Sequence, residues 1–529
     1  VPIDFKIPEK NWREALEIEG ILELYQELGF RTLSQRIRGE FGAAVDVEES
    51  VEENPPAGGE EVSEIDIKKV GIALWLLHSD TTNPTLEDIL QFANEKKFED
   101  AQKYIYAEIK KQKLEKVLND IELPLIPVIE KMEKRGVLID KSYLKTLSKD
   151  YHKQLSALEK KIYKHAGEEF NINSPKQLGV VLFDKLELAP KNQKKTGTGA
   201  RSTKESELQK MKDMHPIIKE IFAYRELQKL LSTYIDNIPE LLDKDNRLHA
   251  KFIQTGTTTG RMSSQNPNLQ NIPIRTELGR KIRDAFIVSK GYKLVALDYS
   301  QIELRVAAFL SEDEKLIENF REGGDIHTIV ASEVFGVPID KVDSEMRREA
   351  KVINFGIQYG MGVNALKENL GTTRAEAQKY LNEYFKVFSG LSHYMHEIKL
   401  DAARLGYTET YFGRKRHFEG INSRIPYIRA MAERMAINAP IQGTQSDIIK
   451  IAMARIDDYL IKENISKDAQ LLLQVHDELV YEIKESKVEE ISKEIKKIME
   501  SVINPKDIYD IELLADVSVG DNWGEMKKI

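Results

Sequence analysis

The chain of 529 residues contains no cysteine, which removes disulfides and thiol catalysis and fits a cytoplasmic protein. Aromatic residues make up 8%, with three tryptophans. No stretch is long and apolar enough to cross a membrane, and no secretory signal is visible. Val1 in place of Met suggests a processed or trimmed chain. An excess of positive charge is also missing: 78 Lys and Arg stand against 87 Asp and Glu, a net charge of −9 with pI near 5.8. That is not the global signature of a nucleic-acid binder, so any surface for phosphates must be local. What is present is 41% hydrophobic residues, enough for several subdomain cores.

Three segments far apart in the chain carry the chemistry. In VALDYSQIELR, an apolar strand over Leu294 to Leu297 ends at Asp298 and gives way to a helical stretch with Gln301, Glu303 and Arg305. In LLLQVHDELVYEI, two apolar runs, Leu471 to Val475 and Leu479 to Ile483, flank His476, Asp477 and Glu478, which predicts a tight hairpin with acids at its tip. If Asp298 and Asp477 meet, their repulsion disfavours ionisation of both unless cations lie between them. Magnesium suits such carboxylates, and a pair of ions about 3.5–4 Å apart can activate a hydroxyl while stabilising a leaving oxygen. In RREAKVINFGIQYG, Arg347, Lys351, Phe355 and Tyr359 recur every four residues along one helical stripe. Its cations could hold a triphosphate while its rings pack on a sugar and a base. Gly356 and Gly360 weaken that helix, as if for close approach of a base or for bending.

Each feature alone has an ordinary explanation: a helix cap or solvated turn for the acids, a solvated face for the cations, core packing for the rings. Together and in order they resemble the family A DNA polymerases, over about residues 65 to 529. Asp298 to Arg305 resembles the family's motif A, Arg347 to Gly360 motif B and Gln474 to Glu478 motif C. The likeness extends through TTTGRMSSQNPNLQNIPIR (257–275), GDIH (324–327), YFGRKR (411–416) and ERMAINAPIQGT (433–444).

The resemblance implies an α+β right hand, with an antiparallel palm sheet and helical fingers and thumb, that adds dNTPs to a primer 3′-hydroxyl and releases pyrophosphate in DNA replication and repair. It implies Asp298 and Asp477 as ligands of two Mg2+ ions, with Mn2+ able to substitute, the Tyr299 backbone as a further ligand and Glu478 as an auxiliary acid. Lys351, Arg347 and His327 would stabilise charge on the triphosphate, Phe355 and Gln301 would lie against the incoming nucleotide, and Tyr359 near the templating base. Glu303 would exclude a ribose 2′-hydroxyl. Arg261 and Gln442 would read minor-groove acceptors. Asn268, Gln270, Arg275, Arg434, Asn438 and His476 would contact primer or template, and Tyr411 and Arg414 the template strand. The basic loop containing Lys194, Lys195 and Arg201 looks like a flexible phosphate-tracking loop in the thumb.

The expected layout is thumb at about 140–242, palm at about 245–319 and 442–529, and fingers at about 320–441. Residues 1–64 resemble the tail after a 5′ nuclease plus an acidic linker, with the nuclease itself absent. Residues 65–120 resemble only the later half of a 3′–5′ exonuclease domain. They lack an Asp-x-Glu on an apolar strand, and the tyrosine-to-acid pairing survives only as Tyr104 and Glu108, so no proofreading is expected. A monomer acting on primer-template DNA, cytoplasmic and nucleoid-associated, is expected. Gln358 departs from an aliphatic residue common in relatives and bears on fidelity, while Phe355 implies a preference against nucleotides lacking a 3′-hydroxyl. Rival readings are a single-subunit RNA polymerase, disfavoured by Glu303 because such enzymes tend to carry a small gate residue, and a catalytically silent DNA-binding protein, disfavoured by the intact acids.

Overall fold

The computed structural model describes residues 62–529 except 191, 192, 198, 275 and 359, the side chain of Gln358 also excepted, and Ile21 alone of the first 61. The expectations for Arg275, Tyr359, Gln358 and residues 1–61 therefore lie outside the described residues. No helix among the described residues is long and apolar enough to cross a membrane.

Three helices open the described chain: α1 (Glu64–Leu77), α2 (Leu86–Ala93) and α3 (Phe98–Lys111). Ser63 and Thr85 cap α1 and α2 by accepting from backbone N–H groups of the first turn. On α3, Glu108 is paired with Lys111 at 2.9 Å and Tyr104 packs edge-on against Phe92. Trp75 of α1 is buried, and its indole N–H donates to the Thr257 carbonyl at 3.0 Å, tying these helices to the segment expected to be palm. A π-helical turn, Val117–Glu122, runs directly into α4 (Leu123–Arg135). The boundary expected at 120 thus falls inside a continuous helical run.

Helix α5 (Lys141–Ala166) opens the segment expected to be thumb. Asp140 caps its start and Gly167, in the left-handed region at φ 73°, ends it. Residues 205–242 form short helical pieces, of which α6 (Pro216–Leu230) is the longest and packs on α5. The loop between them is less loose than expected. Lys195 and Arg201 form a β-bridge, the Thr196 N–H donates to Ala200 at 2.7 Å, and the Arg201 guanidinium donates to the Phe183 carbonyl at 3.3 Å. It is an anchored turn with exposed cations.

The central sheet is antiparallel, in the order β7-β6-β1-β5-β4, where β1 is Tyr292–Tyr299, β4 Ala469–Val475, β5 Glu478–Lys484, β6 Ala515–Gly520 and β7 Lys527–Lys528. Leu294 to Leu297 are all buried, as a strand covered on both faces requires. The chain leaves β1 for α7 (Ile302–Ser311), α8 (Ile326–Phe335) and α9 (Ser344–Gln358), then a small hairpin of β2 (Tyr407–Glu409) and β3 (Lys415–His417). It returns through α10 (Pro426–Lys462), a single helix of 37 residues. The fingers–palm boundary expected at 441/442 is therefore interior to one helix. Gly443 of α10 lets the turn after β2 approach, since a Cβ there would stand 2.5 Å from Thr410 Cγ2.

Candidate active site

The sheet register brings the expected acids together. Asp298 near the end of β1 pairs with Glu478 at the start of β5 and, on its other side, with Asp516 of β6. A two-residue turn, His476-Asp477, joins β4 to β5, with His476 exposed at φ 54°. The Tyr299 N–H donates to the Asp477 carbonyl at 3.2 Å, which pins the turn to the end of β1. Gln474 braces the same turn, its amide donating to the His476 carbonyl at 2.6 Å.

The acids feel one another. Asp298 opens to solvent at the cleft mouth, but the cleft walls withdraw water from it and Glu478, Asp477 and Asp516 repel its charge, which pushes its pKa up to about 7. Burial raises Asp477 to about 6, against the pull of Arg261. Burial also raises Glu478, countered by Arg283, whose Nη1 lies 4.0 Å away, and by the Trp523 indole at 3.5 Å. Arg283 in turn lies 3.7 Å over the Trp523 ring. Sequence reasoning missed both residues, which sit in no periodic pattern beside an acid.

No group of three or more His, Cys, Asp or Glu side chains is preassembled for a metal among the described residues. Asp298, Asp477 and the Tyr299 carbonyl offer hard oxygen only, with surplus negative charge. That donor set fits Mg2+, which keeps several waters and takes few protein ligands.

Along α9, Arg347 and Lys351 are exposed and Phe355 half-buried, whereas Ala350, Ile353 and Asn354 are buried, so the stripe faces outward as the spacing predicts. Arg347 is held by Asp325 at 2.6 Å, and the Lys351 ammonium lies 6.0 Å from the Phe355 ring. His327 is buried beside Phe355, with Nδ1 2.9 Å from the Asn354 amide nitrogen. Burial drives its pKa down to about 4, and Lys351 and Arg347 push the same way. His327 is thus neutral near pH 7, able to offer a hydrogen bond. The glycines also have internal reasons. A Cβ on Gly356 would stand 2.9 Å from Met361 Sδ, and Gly360 has φ 68° with Arg434 packed against it.

Arg261 pairs with Glu303, which is buried, and its Nε donates to Gln445 at 3.1 Å; Gln445 in turn donates to Asp477. Gln445 is another residue that sequence reasoning missed, although it lies three positions, close to one helical turn, from Gln442. Gln301 takes a left-handed backbone at φ 54° ahead of α7. Gln270 donates to Gln474 at 3.0 Å, and Asn268 caps the turn that contains Gln270. Gln442 and Asn438 are half-buried, Arg434 is exposed, and Tyr411 is exposed with its edge against Phe309.

Arg414 requires a correction. It is buried, ion-paired to Glu122 and to Asp447 at 2.6 Å, and its guanidinium lies 5.1 Å from the Trp75 ring. Lys450 completes the cluster at 2.8 Å from Glu122. The guanidinium has no open side toward a template strand.

A sequence profile for DNA polymerase family A matches residues 141–525. The chain belongs to DNA polymerase family A. Its curated relatives include DNA polymerase I of Pseudomonas aeruginosa, 44% identical over 414 residues, covering 78% of this chain and 44% of the relative. The thermostable DNA polymerase I of Thermus aquaticus is 45% identical over 410 residues, covering 77% and 48%. The chain therefore aligns with less than half the length of these family A proteins. Among solved structures, the POL domain of Pol1 from M. smegmatis, in complex with DNA primer-template and dNTP, superposes with a TM-score of 0.81 at 36% identity, covering 86% of this chain and 81% of that one. This family A fold of helices and antiparallel sheets includes the strand end and hairpin turn that carry Asp298 and Asp477.

Proposed function

We propose that the chain is a template-directed DNA polymerase that joins a dNTP to a primer 3′-hydroxyl and releases pyrophosphate. The observation that carries this reading is the convergence of Asp298 and Asp477 at one end of the palm sheet. It is supported by the outward cationic stripe of α9 and by the likeness to a polymerase domain solved with primer-template and dNTP.

In this reading Asp298, Asp477 and the Tyr299 carbonyl hold Mg2+, for which Mn2+ can substitute. Bound there, the cation supplies Lewis acidity toward phosphate oxygens and an attacking hydroxyl. Arg347 and Lys351 bind the triphosphate and offset charge on the leaving pyrophosphate, and His327 adds a neutral hydrogen bond. Phe355 packs on the sugar, with Gln301 beside it and Tyr359 at the templating base. Glu303 fills the place of a ribose 2′-hydroxyl. Arg261, Gln442, Asn268, Gln270, Arg275, Arg434, Asn438, His476 and Tyr411 line the path of the primer-template, and Lys194, Lys195 and Arg201 track phosphates from the thumb. The arrangement corresponds to a right hand acting as a monomer, with residues 65–120 as a remnant of an exonuclease domain that no longer proofreads.

Primer extension on DNA and RNA templates, with dNTPs or NTPs and with or without Mg2+, tests reaction, substrate and metal together. Activity that survives Asp477→Ala, or equal use of NTPs, would overturn the reading. Shortening of a labelled mismatched primer without dNTP would overturn the remnant role.

A further inference from the structure

Gln445 lies on the buried side of α10 with 1% of its surface exposed. Its Oε1 accepts from Arg261 Nε at 3.1 Å, and its Nε2 donates to Asp477 Oδ1. Arg261 is paired through Nη2 with Glu303. Four side chains from four separate segments thus form an unbroken series: Glu303, Arg261, Gln445, Asp477. A primary amide presents, on one planar group, an acceptor for a guanidinium and a donor for a carboxylate, and these two partners fix which way the amide points. A small cavity of about 20 Å3 adjoins it, lined by polar groups of Gln270, Gln474 and His476 and by the apolar side chains of Met262 and Ile449. That space holds about one water, which could take up a hydrogen bond of the amide when a partner leaves it.

We propose that Gln445 is a positioning residue that makes the freedom of the Asp477 carboxylate depend on what Arg261 touches, so that a mispaired primer end is reported to the acid. The proposal rests on the roles given above to Arg261 and Asp477. With a well-shaped terminal pair, minor-groove acceptors draw the Arg261 guanidinium away from Gln445. The amide loses the partner that orients it, turns, and releases Asp477 Oδ1. A mispair displaces those acceptors, so Arg261 remains on Glu303 and Gln445, and Oδ1 stays engaged by the amide. The series is a latch whose closed form is the one observed.

Gln445→Met keeps the volume and removes both hydrogen bonds. The matched-to-mismatched extension ratio is expected to fall about tenfold, the scale of one hydrogen bond to a charged group. Mn2+ binding to the DNA-free protein, followed by its spin-resonance signal, is expected to tighten because Oδ1 is no longer engaged. Arg261→Met opens the latch from the other side, and the double variant is expected to lose no more discrimination than the larger single loss. This second variant carries the test if Gln445→Met does not fold. An unchanged ratio, unchanged or weaker Mn2+ binding, losses that multiply in the double variant, or a folded Gln445→Met that extends neither end would overturn the proposal. Asp477→Asn that still extends primers would instead overturn the functional reading beneath it.

Discussion

Two groups of acids, one reached by Gln445 and the other containing Asp447, meet neighbouring turns of α10 under opposite electrical conditions. At the cleft, Asp298, Asp477 and Glu478 crowd together with Arg261 and Arg283 as the nearest cations, and all three are held toward their protonated forms. Behind it, Glu122 and Asp447 are more deeply buried but meet Arg414 and Lys450, two acids against two cations. Burial alone would raise both acids; Lys450 and Arg414 hold Glu122 below the usual carboxylate range, while at Asp447 burial outweighs the same two cations and its pKa stays raised. The rear cluster closes its own charge and so joins elements from Trp75 to Lys450. The front cluster leaves charge open, which destabilises the fold locally and suits a site that recruits cations.

The largest expected break in that contrast is functional. Asp298→Asn or Asp477→Asn should lower the rate of dNTP addition by about a thousandfold or more, without lowering the melting temperature. The rear cluster should respond in the opposite sense. Arg414→Met leaves two buried acids with one cation and should cost about 3–5 kcal/mol in a urea melt, while primer-template affinity of the folded fraction persists. Lost DNA affinity at full stability would restore the template role expected from the sequence.

His327 sharpens the contrast as a buried group kept neutral. The unfolded chain takes up its proton near pH 6.5, but the native state only near pH 4, so the unfolded state binds more protons in that window and stability falls as pH drops through it. His327→Gln should flatten that slope by about 2 kcal/mol, read from urea midpoints across the window. For Asp298 the sign reverses. The native state keeps its proton up to about pH 7 while the unfolded chain releases it near its ordinary value, so stability falls as pH rises between them. Because Asp298 opens to solvent, Asp298→Asn should stabilise the metal-free protein at pH 8 by only about 1 kcal/mol, a gain that vanishes at low pH.

The sequence made local features legible wherever period and punctuation agree. The hairpin around Asp477, the strand before Asp298 and the shared face of Arg347, Lys351 and Phe355 on α9 follow from apolar runs and four-residue spacing. Two things escaped it. The resemblance changes character near 120 and 441, but helices run through both places because neighbouring elements, not composition, decide where a helix stops. Side-chain direction also escaped. Arg414 and Tyr411 share one motif, yet one points into an ion cluster and the other to solvent. Gln445, Arg283 and Trp523 gained their places from partners hundreds of positions or several elements away, which no single-sequence period encodes.

Helix α10 extends over about 55 Å at the usual rise per residue. It carries Arg434 near one end, Gln445 at its middle, and Asp447 and Lys450 clamped to the rear cluster. A rod fixed at one point and loaded at its tip behaves as a lever, and its compliance is greatest where a backbone hydrogen bond is missing, at Pro440. Bending of the rod is therefore easiest about five residues before Gln445, while the half held by Asp447 and Lys450 is the stiffer one.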